Sequence, residues 1–324
     1  MKDACLLIGD IGGTNARFAL GATEKPGFSD VRSFSCDAFP DSHAAIRAYL
    51  ESVGRTEPDA ICLAAAGPVV GGRVTFTNNH WGLDEEGLRG AFSTDRVKVL
   101  NDFEAVAYCV PFLTDDECLQ VGATAAKELQ RGDVSVGVVG PGTGLGTGGL
   151  LRRNGELYPI VGEGGHVGFA PASDEEALLL QILQGRFGRV SVERIVSGPG
   201  LENVDWALAQ RNGEAYERRP AAEIFAAAER GERRAAGAVR IFFDVLGHVA
   251  GDLALALGAA DGLYLAGGIL KRYPQMLADS GFRAAFESKG RHRSLMEAIP
   301  TELIVQAEPG LLGASYRALR LYAG

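Results

Sequence analysis

Ala4-Cys5-Leu6-Leu7-Ile8-Gly9-Asp10-Ile11-Gly12-Gly13-Thr14-Asn15-Ala16-Arg17-Phe18-Ala19-Leu20 is the stretch that decides the fold. An apolar run ends at Gly9-Asp10, a glycine turn follows, and residues 16–20 return with the alternation of a half-buried strand. Glycines let a backbone approach a ligand closely and adopt positive φ, so several N–H groups of one turn can point at phosphate oxygens. A carboxylate at the strand end can hold Mg²⁺ through its water shell, and Thr14 adds a hydroxyl. Gly9, Asp10, Ile11, Gly12, Gly13 and Thr14 are therefore a candidate phosphate cradle, with Asp10 as its metal-facing group. A plain hairpin turn is the competing reading.

The pattern recurs. Ser135-Val136-Gly137-Val138-Val139 leads into Gly140-Pro141-Gly142-Thr143-Gly144-Leu145-Gly146, and Gly149-Leu150-Leu151 returns as a strand. Two such hairpins suggest a pair of related lobes, each offering a phosphate-facing turn to a shared cleft. Gly144, Gly146 and Gly149 formally satisfy the dinucleotide fingerprint, and Glu163 lies about 20 positions on, as that fold wants. The fingerprint must open a helix, however, and residues 150–155 read as a strand entering an Asn154-Gly155 hairpin turn. No Gly-Lys pair exists for a Walker-type loop.

Outward from these hairpins, strands alternate with helices, which is the α/β pattern. Asp41 caps a helix to about Val53, with Ile46 and Leu50 on one face. Residues 60–66 form an apolar strand stopped by Gly67-Pro68, and 97–100 a strand ending at Asn101-Asp102, with a helix from Phe103. A second part begins near Pro111. Ser173 and Glu176 make a capping box for a helix with Leu179, Ile182 and Leu183 inward. Residues 235–259 form a long buried helix, 261–266 a late strand ending at Gly267-Gly268, and a helix runs from Gly310.

Asn101-Asp102 stands at the carboxyl end of a strand, where α/β sheets place ligands. Asp102 can take a proton from an attacking hydroxyl, and Asn101 can fix a neighbouring one; capping of the following helix is the alternative. In Glu163-Gly164-Gly165-His166 the glycines disfavour a di-metal helix motif, whereas in a loop the carboxylate and imidazole suit adjacent sugar hydroxyls. Glu193 is a further carboxylate, or a surface charge. His248, His43 and His292 read as structural, and His80 is left without a role.

The bulk properties narrow the classes. The 324 residues exceed one common domain and suggest two lobes. A net charge of −9 without basic blocks leaves no footprint for nucleic acid or an anionic membrane. Arg218-Arg219, Arg233-Arg234 and Arg291-His292-Arg293 read as solvated surface. Five scattered cysteines with no C-x-x-C pair argue against a disulfide framework and fit a reducing compartment. Met1-Lys2-Asp3 shows no signal-peptide anatomy, and the most apolar stretch, 241–260, carries Asp244, His248 and Asp252, so a cytoplasmic protein is expected.

Taken together, the segments at 9–17, 100–103, 142–146, 162–167, 197–201, 266–269 and 309–313 resemble the bacterial glucokinase family, a branch of the sugar kinase, actin and large heat-shock chaperone superfamily. The resemblance spans the chain. It implies a two-lobed actin-like ATPase (ribonuclease H-like) fold with an interlobe cleft, a small lobe from 1–110 plus 301–324 and a large one from 111–300. It implies ATP-dependent phosphorylation of D-glucose at the 6-hydroxyl, with Mg²⁺, by a homodimer. Asn101, Asp102, Glu163, His166 and Glu193 would contact glucose, with Asp102 as the base. ATP phosphates would lie at 9–14 and at Gly142, Thr143 and Gly144, and the nucleoside near Gly267-Gly268. Pro141 departs from the family's usual small residue, Thr77-Asn78-Asn79-His80-Trp81 orders its side chains differently, and the repressor branch's cysteine-rich zinc motif is absent. Another hexose, polyphosphate as donor, an actin-like filament ATPase and a non-catalytic sugar-binding regulator are the alternatives.

Overall fold

The computed structural model describes residues 4–76 and 79–324; Met1-Lys2-Asp3 and Thr77-Asn78 lie outside the described residues. The chain divides into two compact units, residues 1–114 with 306–324, and residues 115–305. Both are α/β.

The first unit is built on a five-stranded mixed sheet in the order β3-β2-β1-β4-β7. Its strands are β1 (Leu6–Ile11), β2 (Asn15–Gly21), β3 (Phe28–Ser35), β4 (Ala60–Ala65) and β7 (Val97–Asn101), with β5 (Arg73–Thr75) and β6 (Gly82–Asp84) as a separate ribbon. β1 runs antiparallel to β2 and parallel to β4, and β4 parallel to β7. The helices are α1 (Ser42–Ser52), α2 (Glu85–Phe92), α3 (Asp102–Cys109) and the C-terminal helix Pro309–Ala323. Asp41 caps α1 by accepting from the Ala44 amide at 2.8 Å, and Ile46 and Leu50 are buried, as the periodicity predicts.

The second unit repeats this order and adds one edge strand: β11-β10-β9-β12-β13-β8. Its strands are β8 (Cys118–Gln120), β9 (Val134–Pro141), β10 (Leu145–Arg153), β11 (Glu156–Gly162), β12 (Gly262–Leu265) and β13 (Thr301–Ile304). β9 pairs antiparallel with β10 and parallel with β12, as β1 does with β2 and β4. The repeated hairpin in the sequence is thus one piece of a repeated sheet. β10 continues through the formal dinucleotide fingerprint as a strand and turns at Asn154-Gly155, both at positive φ (52° and 83°), so no helix opens there. Residues 301–304 pair with β12 and β8, so the chain returns to the first unit after Val305, where the sequence places the change at 301.

Helices α7 (Arg233–Leu257) and α8 (Gly268–Arg272) pack on this sheet, and α4 (Asp174–Phe187), α5 (Gly198–Asn212) and α6 (Ala221–Glu229) pack against α7 and one another. The Ser173 capping box is only half formed: Ser173 accepts from the Glu176 amide, but Glu176 reaches past it to the Ala172 amide. Two of the basic pairs are more than surface. Arg219 and Arg234 both bond Asp205, which is fully buried on α5, at 2.9 Å. An unpaired carboxylate there would carry a desolvation cost of several kcal/mol. No helix among the described residues is long and apolar enough to cross a membrane.

Glu302 on β13 is another buried carboxyl. It is 3% exposed, and its Oε1 has no hydrogen-bond partner. Burial, with the nearby Asp115 charge adding to it, pushes its pKa up from 4.5 to about 7. The folded state therefore binds this proton more tightly than the unfolded state. Stability falls as pH rises from 4.5 to about 7, and the loss is complete above that. Glu302→Gln removes the charge. Its stability gain should be absent near pH 4 and grow toward about 3 kcal/mol above pH 7, at about 1.4 kcal/mol per pH unit. Urea unfolding at pH 5 and pH 8 reads the difference; an equal gain at both would refute a titration origin.

Candidate active site

In the first unit, sheet register assembles the cluster. Ile11 pairs with Ala65, and Ala65 with Asn101, so β1, β4 and β7 end level with one another. The 12–14 turn and Asn101 therefore stand at the same sheet edge, two strand spacings or about 10 Å apart. β1 runs on through Gly9 and Asp10 to Ile11, further than the apolar run alone suggests. Gly9 and Asp10 end the apolar run as read, and Ile11, which the reading places after the strand, belongs to it. A Cβ on Gly9 would lie 2.8 Å from Leu63 and 2.9 Å from Phe18, and Ile11 is buried in the core. Their conformations answer to packing.

The exposed tip is shorter: the Gly12 amide donates to the Asn15 carbonyl at 2.9 Å, with Gly13 and Thr14 between. Positive φ is not what the glycines supply here. None of Gly12, Gly13, Gly142 or Gly144 adopts it; only Gly267 of the site glycines does, at 97°.

Asp10 faces the start of the C-terminal helix, where a Cβ on Gly310 would come within 3.1 Å of its Oδ2. Burial pushes its carboxyl up to about 6; Arg17 opposes this and Glu308 adds to it, and those two residues pair with each other at 3.3 Å. A carboxylate so short of compensating charge fits a cation beside it. Among the described residues no group of three or more His, Cys, Asp or Glu is arranged to hold a metal. The fitting mode is thus the one in which water and phosphate supply most ligands.

Asn101 caps α3 in a full capping box. Its Oδ1 accepts from the Phe103 and Glu104 amides, and Glu104 accepts from the Asn101 amide. One amide proton of its side chain goes to the Gly67 carbonyl at 3.0 Å. The capping that the sequence poses as one alternative is present, and it locks the side chain at the strand end. Asp102 follows as the first helical residue, partly exposed, with Oδ1 2.9 Å from the Phe103 amide.

The second unit holds the remaining residues. A Cβ on Gly165 would meet the Leu145 carbonyl at 2.2 Å, and one on Gly164 the Thr147 hydroxyl at 2.6 Å. The two glycines let the 163–166 loop lie directly on β10, which leaves Glu163 and His166 exposed. This loop touches the short turn Val192–Arg194: the Val192 amide donates to the Val167 carbonyl, and Arg189 to the His166 carbonyl. Glu193 is no surface charge. Its Oε2 accepts from the Leu145 amide at 2.8 Å, and a Cβ on Gly144 would sit 2.6 Å from that oxygen. Glu163, His166 and Glu193 are thus one cluster with the 142–144 turn. Gly267 approaches the same turn from α8, where a Cβ would lie 2.4 Å from the Pro141 carbonyl. The Gly198 amide at the head of α5 donates to the Gly142 carbonyl. Beside these lies a cavity of about 350 Å³ lined by Thr143, Gly198, Ala221, Gly268, Arg272 and Tyr273, among others.

Several of these residues escape a reading of the sequence. Gly198 and Ala221 carry no chemistry of their own, and only the fold brings them to the 142–144 turn. Asn79 is the clearest omission: its Nδ2 donates to the Gly12 carbonyl at 3.1 Å and to Cys36 Sγ at 3.2 Å, holding the first turn from behind. Its neighbour His80 bonds the Phe39 carbonyl, as does the Trp81 indole.

The family profile described as Glucokinase matches residues 7–321 of this sequence. The chain belongs to the glucokinase family. A glucokinase of Caulobacter sp. strain K31 is 40% identical over 313 residues, covering 95% of this chain and 93% of its own. The crystal structure of a glucokinase from an Antarctic psychrotroph superposes with a TM-score of 0.88 at 35% identity, over 98% of this chain and 99% of that one. The glucokinase of Balamuthia mandrillaris, crystallised with glucose, gives 0.76 at 25% identity, over 97% and 93%. The glucokinase-family assignment makes this protein a hexose kinase with the two-domain actin-like ATPase fold.

Proposed function

We propose that this enzyme transfers the γ-phosphoryl group of ATP to the 6-hydroxyl of D-glucose, with Asp102 as general base. The observation that carries the reading is the contact of Glu193 with the 142–144 turn. A hydroxyl-binding carboxylate and a phosphate turn form one cluster there, as transfer between a phosphate and a polyol requires. The glucokinase crystallised with glucose supports the choice of sugar.

Asn101, Glu163, His166 and Glu193 bind the sugar hydroxyls and fix one orientation, which converts the attack into an effectively unimolecular step. Asp102 accepts the proton of the attacking hydroxyl. Backbone amides and hydroxyls of the 12–14 and 142–144 turns bind the phosphates, and the cavity beside Gly267-Gly268 takes the nucleoside. Asp10 would hold Mg²⁺ through water, which would supply charge neutralisation on the transferring group. The homodimer and the cytoplasmic setting that the resemblance implies belong to the same proposal.

An assay coupled to ADP release, run over glucose, mannose, fructose and glucosamine with and without Mg²⁺, tests this. Glucose- and Mg²⁺-dependent turnover is expected; sugar-independent ATP hydrolysis with sedimentable polymer would point to a filament ATPase. Gly144→Ala tests the cluster itself. The new methyl group displaces only the far end of Glu193, so the melting temperature should barely move. The KM for glucose should rise about tenfold, the value of one lost charge-assisted hydrogen bond. An unchanged KM for glucose would separate Glu193 from sugar binding.

A further inference from the structure

Beside the nucleotide cavity, and sharing Pro199 and Glu202 with it, lies an open groove of about 700 Å³. Arg186, Arg194 and Arg218 line it. The Arg186 guanidinium carbon lies 4.8 Å from the Trp206 ring centroid and 5.1 Å from that of Phe187, and Arg194 lies 4.4 Å above Phe187. Neither arginine has a carboxylate partner among the described residues. The neighbouring Arg211, Arg219, Arg234 and Arg240 are all paired with acids. Among the described residues that line the groove the one carboxylate, Glu202, is already bound by Arg218 at 2.9 Å.

The chain carries a net charge of −9, so a concave surface with unneutralised arginines runs against the field of the whole molecule. Stacking on an aromatic face fixes a guanidinium and leaves its in-plane N–H donors pointing outward, the arrangement that recognises phosphate oxygens. A ligand with a single anionic group would satisfy one arginine and leave the other. We propose that the groove binds an oligophosphate anion, either a free phosphate chain or the phosphate tail of a second nucleotide.

The test is a calorimetric titration of inorganic tripolyphosphate into the full chain carrying one equivalent of a non-hydrolysable ATP analogue at fixed free Mg²⁺. One tripolyphosphate should bind per chain, more weakly as salt is added. Arg186→Gln and Arg194→Gln should each weaken binding about tenfold, and Arg186→Lys less. Arg186→Gln should leave the KM values for glucose and ATP unaltered. A parallel titration with GTP separates the sources: equal affinity assigns a second nucleotide, and tripolyphosphate binding alone assigns a free chain. No binding beyond the analogue, or binding that the double Gln variant leaves intact, overturns the proposal. The nucleotide reading fails separately: if the analogue itself does not bind, tripolyphosphate titrated alone into the same variants still reports on the groove.

Discussion

Asp102→Asn should lower kcat at least about a hundredfold while KM for glucose changes only a few-fold. General-base assistance is typically worth about 10²–10⁴-fold, and an amide cannot accept the hydroxyl proton at neutral pH. The substitution keeps the shape of the side chain, and the capping of α3 rests on Asn101 and Glu104, so the fold should persist. Circular dichroism and the melting temperature serve as that control. Asn101→Ala gives the contrast: it removes the cap, should cost about 1 kcal/mol of stability, and should raise KM for glucose as well as lower kcat. An Asp102→Asn enzyme with near-normal kcat would exclude Asp102 as the base.

Gly313→Ala should be among the most destabilising single changes in the first unit. A Cβ at this position would lie 1.8 Å from the Ala105 carbonyl oxygen, backbone against side chain, where no rotamer change can help. The C-terminal helix and α3 would have to separate by more than about 1 Å. Their packing, which includes the Tyr108–Tyr316 and Phe112–Tyr316 ring contacts at 5.4 and 5.2 Å, would loosen with them. Overpacking of this kind costs about 1–3 kcal/mol where side chains can give, so at least about 3 kcal/mol is expected here. Because α3 begins at Asp102, kcat should fall as well, although no substituted atom lies at the site. Thermal unfolding and steady-state kinetics on the same preparation measure both. A variant with wild-type stability would mean that the helices do not approach as closely as described.

How much of this is legible in the sequence depends on the range of the interaction. The hairpins 4–20 and 135–151 are local patterns of apolar residues and turn residues, and both appear as read, down to the Asn154-Gly155 turn. The Asp41 cap and the Ile46/Leu50 face are equally local. Asn101 is also legible, because a strand end followed by a helix poses a local question with a local answer.

What the sequence misjudges concerns contacts between distant segments. Ile11 reads as following the strand, yet it pairs with Ala65 and is buried in the core. Glu193 looks like a surface charge until the Leu145 amide is found beside it, 48 residues away in sequence. Arg219 and Arg234 look solvated until the buried Asp205 is placed between them. Asn79 gives no signal, since an asparagine in a loop does not announce that it bonds the Gly12 carbonyl. The two glycine-rich turns are a further case. The glycine-rich pattern marks both, yet none of Gly12, Gly13, Gly142 and Gly144 has positive φ, and of them Gly144 is the one crowded by a distant group, the Glu193 carboxylate, while Gly142 has open space around it. Local propensity and periodicity are encoded in neighbouring residues and so determined the α/β class, the repeated hairpin and the candidate turns. The identity of the atom that fills the space beside a given residue depends on chain segments far away, and only the tertiary structure decided it.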